Sequence, residues 1–92
     1  MHYDNLDPER REHAVNKIKL FFFGDLGLDI LYQSNAVNVF YNPDLTAVLE
    51  LRDPTRTPTW IDIEWRTNNP SIKKQVERKL DEIIKEARSK DA

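Results

Sequence analysis

Two alternating stretches joined by a proline- and threonine-rich segment constrain this chain more than any other feature. Leu45, Ala47, Leu49 and Leu51 are apolar at every second position, and Ile61, Ile63 and Trp65 repeat the pattern. Side chains alternate across a strand, so each stretch offers one face to a core and the other to water. Between them Asp53-Pro54-Thr55-Arg56-Thr57-Pro58 has the residues of a connecting loop. The pattern predicts an antiparallel hairpin, with strands over 45–52 and 59–67, whose apolar face must be covered by something else in the chain.

With 92 residues there is material for a single core, and two amphipathic helices are the candidate cover. Asp7-Pro8-Glu9 is a helix start: a capping carboxylate, a proline suited to the first turn and an acid near the positive dipole end. Ala14, Val15, Ile18, Phe21 and Phe22 then recur at three- and four-residue spacing as far as Gly24. Asn69-Pro70 repeats the opening, and Ile72, Val76, Leu80, Ile83, Ile84 and Ala87 mark a second stripe that runs nearly to the end. Leu28 to Gln33 reads as a further strand. Val37, Val39 and Tyr41 alternate with Asn38, Phe40 and Asn42 until Pro43 interrupts, which makes residues 37–52 either one bent strand or two. The expected fold is α+β: a helix, a three-stranded or four-stranded antiparallel sheet, then a helix (αβββα), in two layers. It is one domain over residues 1–92, with residues 1–6 flexible and 88–92 frayed.

Composition excludes several classes. Without cysteine there is no disulfide scaffold, thiolate metal site or cysteine nucleophile. No apolar run approaches the roughly 20 residues of a membrane span, and the N-terminus lacks a signal-peptide pattern, so a cytoplasmic protein without membrane contact is expected. A net charge of −2 argues against a surface that attracts phosphate everywhere. Leu20 and Phe23 lie well away from the centre of the first helix's stripe and need a second cover, for which a homodimer partner is one candidate.

Chemistry concentrates on the polar face of the hairpin. Asp44, Thr46, Val48, Glu50 and Arg52 share it with Trp60, Asp62, Glu64 and Arg66. Two registers keep this facing. One sets Glu50 directly opposite Asp62, an unfavourable like-charge pair; the other sets Asp44 opposite Arg66 and diagonal to Glu64. On that reasoning the second register is expected, and Asp44 and Glu64 would then be able to hold Mg²⁺ or Mn²⁺ together beside a cation.

Pro43-Asp44, a 19-residue gap and Glu64-Trp65-Arg66 resemble the signature of the PD-(D/E)XK nuclease superfamily, with Arg where that family usually has Lys. The resemblance implies metal-dependent hydrolysis or binding of a nucleic-acid backbone. Asp44 and Glu64 would be metal ligands, Arg66 would stand in the lysine position, and Glu12 or Glu9 would join from the first helix. Arginine stays protonated, so Arg66 would orient phosphate or water and not act as a base. Lys73 and Lys74 at the start of the second helix would bind substrate and substitute for the missing lysine, and Trp60 would offer a stacking surface for substrate. The family's strand after the second helix has no counterpart here. The alternative is a non-catalytic protein-interaction module that dimerises through Phe23, Leu20 or Trp60 and binds another protein, in which the acidic face is an ordinary solvated sheet surface carrying an Asp44–Arg66 ion pair. His2 and His13 are isolated and read as structural or surface residues.

Overall fold

The computed structural model describes residues 1–51 and 59–89. The elements are β1 (His2–Tyr3), α1 (Pro8–Leu20) continued by a π-helical turn (Phe21–Asp25), β2 (Asp29–Gln33), β3 (Val37–Asn42), β4 (Leu45–Glu50), β5 (Ile61–Thr67) and α2 (Pro70–Ser89). The class is α+β as expected. The strand count differs: the sheet has five strands in the order β1-β5-β4-β3-β2, every neighbouring pair antiparallel.

Two local features account for the extra strands. Asn42 and Leu45 pair across Pro43-Asp44, and the Asn42 side-chain oxygen accepts the amides of Asp44 and Leu45, both at 2.8 Å. This Asx-type turn closes a tight hairpin, so Pro43 divides 37–52 into two strands. The second is at the N-terminus, where residues expected to be flexible form β1. Met1 donates its terminal ammonium to the Ile63 carbonyl at 2.7 Å and accepts the Ile63 amide at 2.8 Å. A two-residue strand carries too little pattern to be read from sequence. At the other end α2 stays helical through Ser89, and Arg88 donates to the Asp4 carbonyl at 2.7 Å. The loop expected at Asp53–Pro58, together with Arg52 and residues 90–92, lies outside the described residues.

The helices start as their sequences dictate. Asp7 accepts the Arg10 amide at 2.9 Å with Pro8 in the first turn, and Asn69 accepts the amides of Ser71 and Ile72. Gly27, at φ +66°, takes the left-handed conformation that reverses the chain into β2. One core fills the space between the layers. Ala14, Val15, Ile18, Phe21 and Phe22 meet Val76, Leu80, Ile83, Ile84 and Ala87, and both groups rest on Phe40, Leu45, Ala47, Leu49, Ile61 and Ile63. Phe22, fully buried, tilts against Phe40 with ring centroids 5.4 Å apart. All the sheet's core residues lie on one face; the other, carrying Val37, Val39, Tyr41, Val48, Glu50, Glu64 and Arg66, is left without a covering layer among the described residues. No helix of the described residues is long and apolar enough to cross a membrane.

Candidate functional site

The β4–β5 ladder decides what the acidic face can do. Thr46 stands opposite Arg66, Val48 opposite Glu64, and Glu50 opposite Asp62. This is the register that like-charge repulsion argued against, so the expected pairing of Asp44 with Arg66 is corrected by two positions. The two registers bury the same residues, but the observed one seats the large Trp65 against the small Ala47 and extends the ladder to Thr67. It also brings a compensating group that the hairpin lacks by itself. β1 lays His2 beside Asp62, where the His2 Nδ1 and an Asp62 carboxylate oxygen are in contact. A third strand thus gives Asp62 a side-chain partner that is not apparent when two strands are considered alone.

The correction separates the expected metal ligands. Asp44 sits in the β3–β4 turn, exposed, and extending the register places it level with Asn68, four residues beyond Glu64. At about 3.4 Å per residue the offset along the strand is roughly 14 Å. Side chains that stand perpendicular to a sheet do not span that gap with two metal–oxygen bonds of about 2 Å each. Glu64 and Arg66 remain neighbours on the open face, both exposed. Glu9 and Glu12 belong to α1, on the opposite side of the sheet, so the register and the layering both keep the expected acids apart. Among the described residues no group of three or more His, Asp or Glu side chains gathers to hold a metal ion.

The remaining expected site residues are dispersed. Trp60 precedes β5, half-buried; it stacks on His2 with centroids 6.0 Å apart, and its carbonyl accepts the Arg11 Nε at 3.0 Å. Lys73 borders a groove along the end of β5, and Lys74 is exposed at the next position of α2. His13 lies within 3.7 Å of Glu86, an interhelical contact. Burial, reinforced by the neighbouring Asp81, pushes the Tyr3 hydroxyl up to about 12, and burial lowers the Arg11 guanidinium from its ordinary value. These shifts come from packing and do not converge on a reacting centre.

The feature that sequence pattern did not single out is β2. All five of its residues are exposed and it forms one edge of the sheet. Its apolar side chains are Ile30, Leu31 and Tyr32, with Leu31 and Tyr32 exposed by 61% and 56%. Tyr41, on neighbouring β3, is exposed as well, as are Leu20 (66%) and Phe23 (59%) at the end of α1. The register shifts between Ile30 and Tyr32, marking a bulge at this edge. In sequence Leu28 to Gln33 reads as a strand and nothing more; the place of β2 at the end of the strand order is what leaves its side chains exposed.

No protein-family model, curated protein or solved structure matches the chain.

Proposed function

We propose that this protein is a non-catalytic interaction module that pairs with a second copy of itself through the β2 edge. The observation that carries the reading is an edge strand, Asp29–Gln33, exposed at every residue yet apolar at three successive positions. Natural sheets blunt exposed edges with lysine, proline, a bulge or cover; β2 has a bulge but neither lysine nor proline, and its apolar side chains stay exposed. Ile30, Leu31 and Tyr32 with Tyr41 on neighbouring β3 present apolar surface on the order of 400 Å², taking about half of each large side chain as exposed. That is about half of the roughly 800 Å² per partner of a standard interface. A twofold axis at Leu31 would set Asp29 across from Gln33 of the other copy and Ile30 across from Tyr32, with no like charges facing. Because the bulge breaks the even spacing of the outward backbone groups, contact through side chains is favoured over a continuous sheet.

The nuclease-like reading, with Mg²⁺ or Mn²⁺ at Asp44 and Glu64 and a nucleic-acid substrate, has less support because the β4–β5 register sets those carboxylates out of line. Sedimentation velocity across a concentration series tests the dimer. The wild-type chain is expected to shift from monomer to dimer, Leu31→Lys to remain monomeric, and Lys74→Ala to dimerise normally. A wild-type chain that stays monomeric at millimolar concentration, or a Leu31→Lys variant that dimerises as before, would overturn the proposal.

A further inference from the structure

The β2 edge offers only about half the area of a standard interface, and its side chains lead onto a second surface. Tyr32 stands opposite Val39, Val39 opposite Val48 and Val48 opposite Glu64, which makes one row across the open face of the sheet. Tyr41, Thr46 and Arg66 form the next row on one side, and Val37, Glu50 and Asp62 the next row on the other. Toward β2 this face is apolar: Tyr32 and Tyr41 are exposed by 56% and 42%, and the three valines are half-buried. Toward β5 it is charged, with Arg66 at one end and Glu50 and Asp62 at the other. Glu50, Glu64 and Arg66 are exposed and form no ion pair among the described residues.

We infer that the second copy also covers this open face, the two sheets packing face to face about a twofold axis that runs across the strands. The inference rests on the self-association proposed above. An axis at Leu31, continued across the sheet, passes within one residue of Val39, Val48 and Glu64, because Leu31 lies between the partners of Phe40 and Val39. Such an axis reverses the strands, so the Arg66 end of each face meets the Glu50–Asp62 end of the other. The face is therefore complementary to itself in charge, and both copies make the contact. An arginine fork from the second copy also answers the Glu50–Asp62 pairing, for which β1 supplies only His2 to Asp62. Glu64 comes nearest its own copy, with the Arg66 of each chain two residues away. Tyr41 meets Val37 of the other copy, and Val39 and Val48 meet close to their own counterparts, so the apolar parts coincide. Three strands about 4.8 Å apart, over five residues of about 3.4 Å, add on the order of 250 Å² to the edge and bring the contact near the standard size. Sheets packed in this way lie about 10 Å apart with strand directions within about 30°.

The chain has no cysteine, so a single introduced one reports the arrangement. Glu64 is exposed and beside the axis, and nitroxide labels on Glu64→Cys are attached to backbones about 10 Å apart when the sheets are stacked. Contact through the β2 edges alone would separate the same positions by at least about 34 Å, three strand spacings in each copy and one between them. Stacked labels are expected to broaden the continuous-wave EPR spectrum of the dimeric chain by dipolar coupling, and labels at the larger distance do not. In sedimentation velocity Arg66→Glu is expected to weaken dimerisation at least about tenfold, and adding Glu50→Arg to restore it. An unbroadened spectrum from a sample that sediments as a dimer, an Arg66→Glu variant that dimerises as tightly as the wild type, or an exchange that fails to restore association overturns this inference and leaves the β2 contact standing. A wild-type chain that is monomeric at millimolar concentration overturns both.

Discussion

The pairing of Glu50 with Asp62 can be tested through its energy. Their side chains project from directly opposed positions, with Cβ atoms about 4.5–5.5 Å apart. At roughly 5 Å two unit charges repel by about 1 kcal/mol in a water-like dielectric, and Glu50 is exposed, so a value near this lower limit applies. Replacing Glu50 by lysine removes the repulsion and installs an attraction of similar size, for a net gain of about 1–2 kcal/mol. In a domain of this size each kcal/mol moves the melting temperature by about 4–8 °C. Urea denaturation at low salt should register the gain in the wild-type background and little of it in an Asp62→Asn background; the difference between the two is the coupling. Raising the salt to 0.5 M should shrink it. If Glu50→Lys stabilises both backgrounds equally, or neither, Glu50 does not face Asp62 and the register argument fails. The alternative alignment, with Asp44 opposite Arg66, would move the coupling to that pair.

Other outcomes follow from the same packing. Mg²⁺ or Mn²⁺ at millimolar concentration should leave the melting temperature unchanged, because Asp44 and Glu64 are four residues out of line; a rise that Asp44→Asn abolishes would contradict this. Phe22→Ala should cost about 3–5 kcal/mol in urea unfolding, since the ring is fully buried against Phe40. Asn38 is 1% exposed and its side-chain oxygen has no partner among the described residues, its amide donating to the Ser34 carbonyl at 3.4 Å. Asn38→Val should therefore stabilise by about 1 kcal/mol; destabilisation would show that the oxygen is satisfied in solution. Tyr3 holds its proton to about pH 12 when folded and releases it near 10 when unfolded. Between those values the unfolded state binds fewer protons, so stability falls as pH rises from 10 to 12. The wild-type stability curve should slope downward there, and Tyr3→Phe should remove that part of the slope.

The two helices and the inward face of the central hairpin were legible because each is written in a local period. The stripe from Ala14 to Phe22, the stripe from Ile72 to Ala87 and the alternation from Leu45 to Trp65 each need only their own residues to be recognised, and Asp7-Pro8 and Asn69-Pro70 mark starts by local hydrogen bonding. Leu20 and Phe23 were likewise read as turned away from the core, because angular position around a helix is a local property. Strand neighbours are not. His2 and Asp62 are separated by 60 positions, and no local rule announces that a two-residue strand will set a histidine against one member of a like-charge pair. The register and the exposure of β2 both depend on which strands lie side by side. Periodicity determined which face of each element is apolar; the order of the strands decided which of those faces, and which edges, the molecule leaves for a partner.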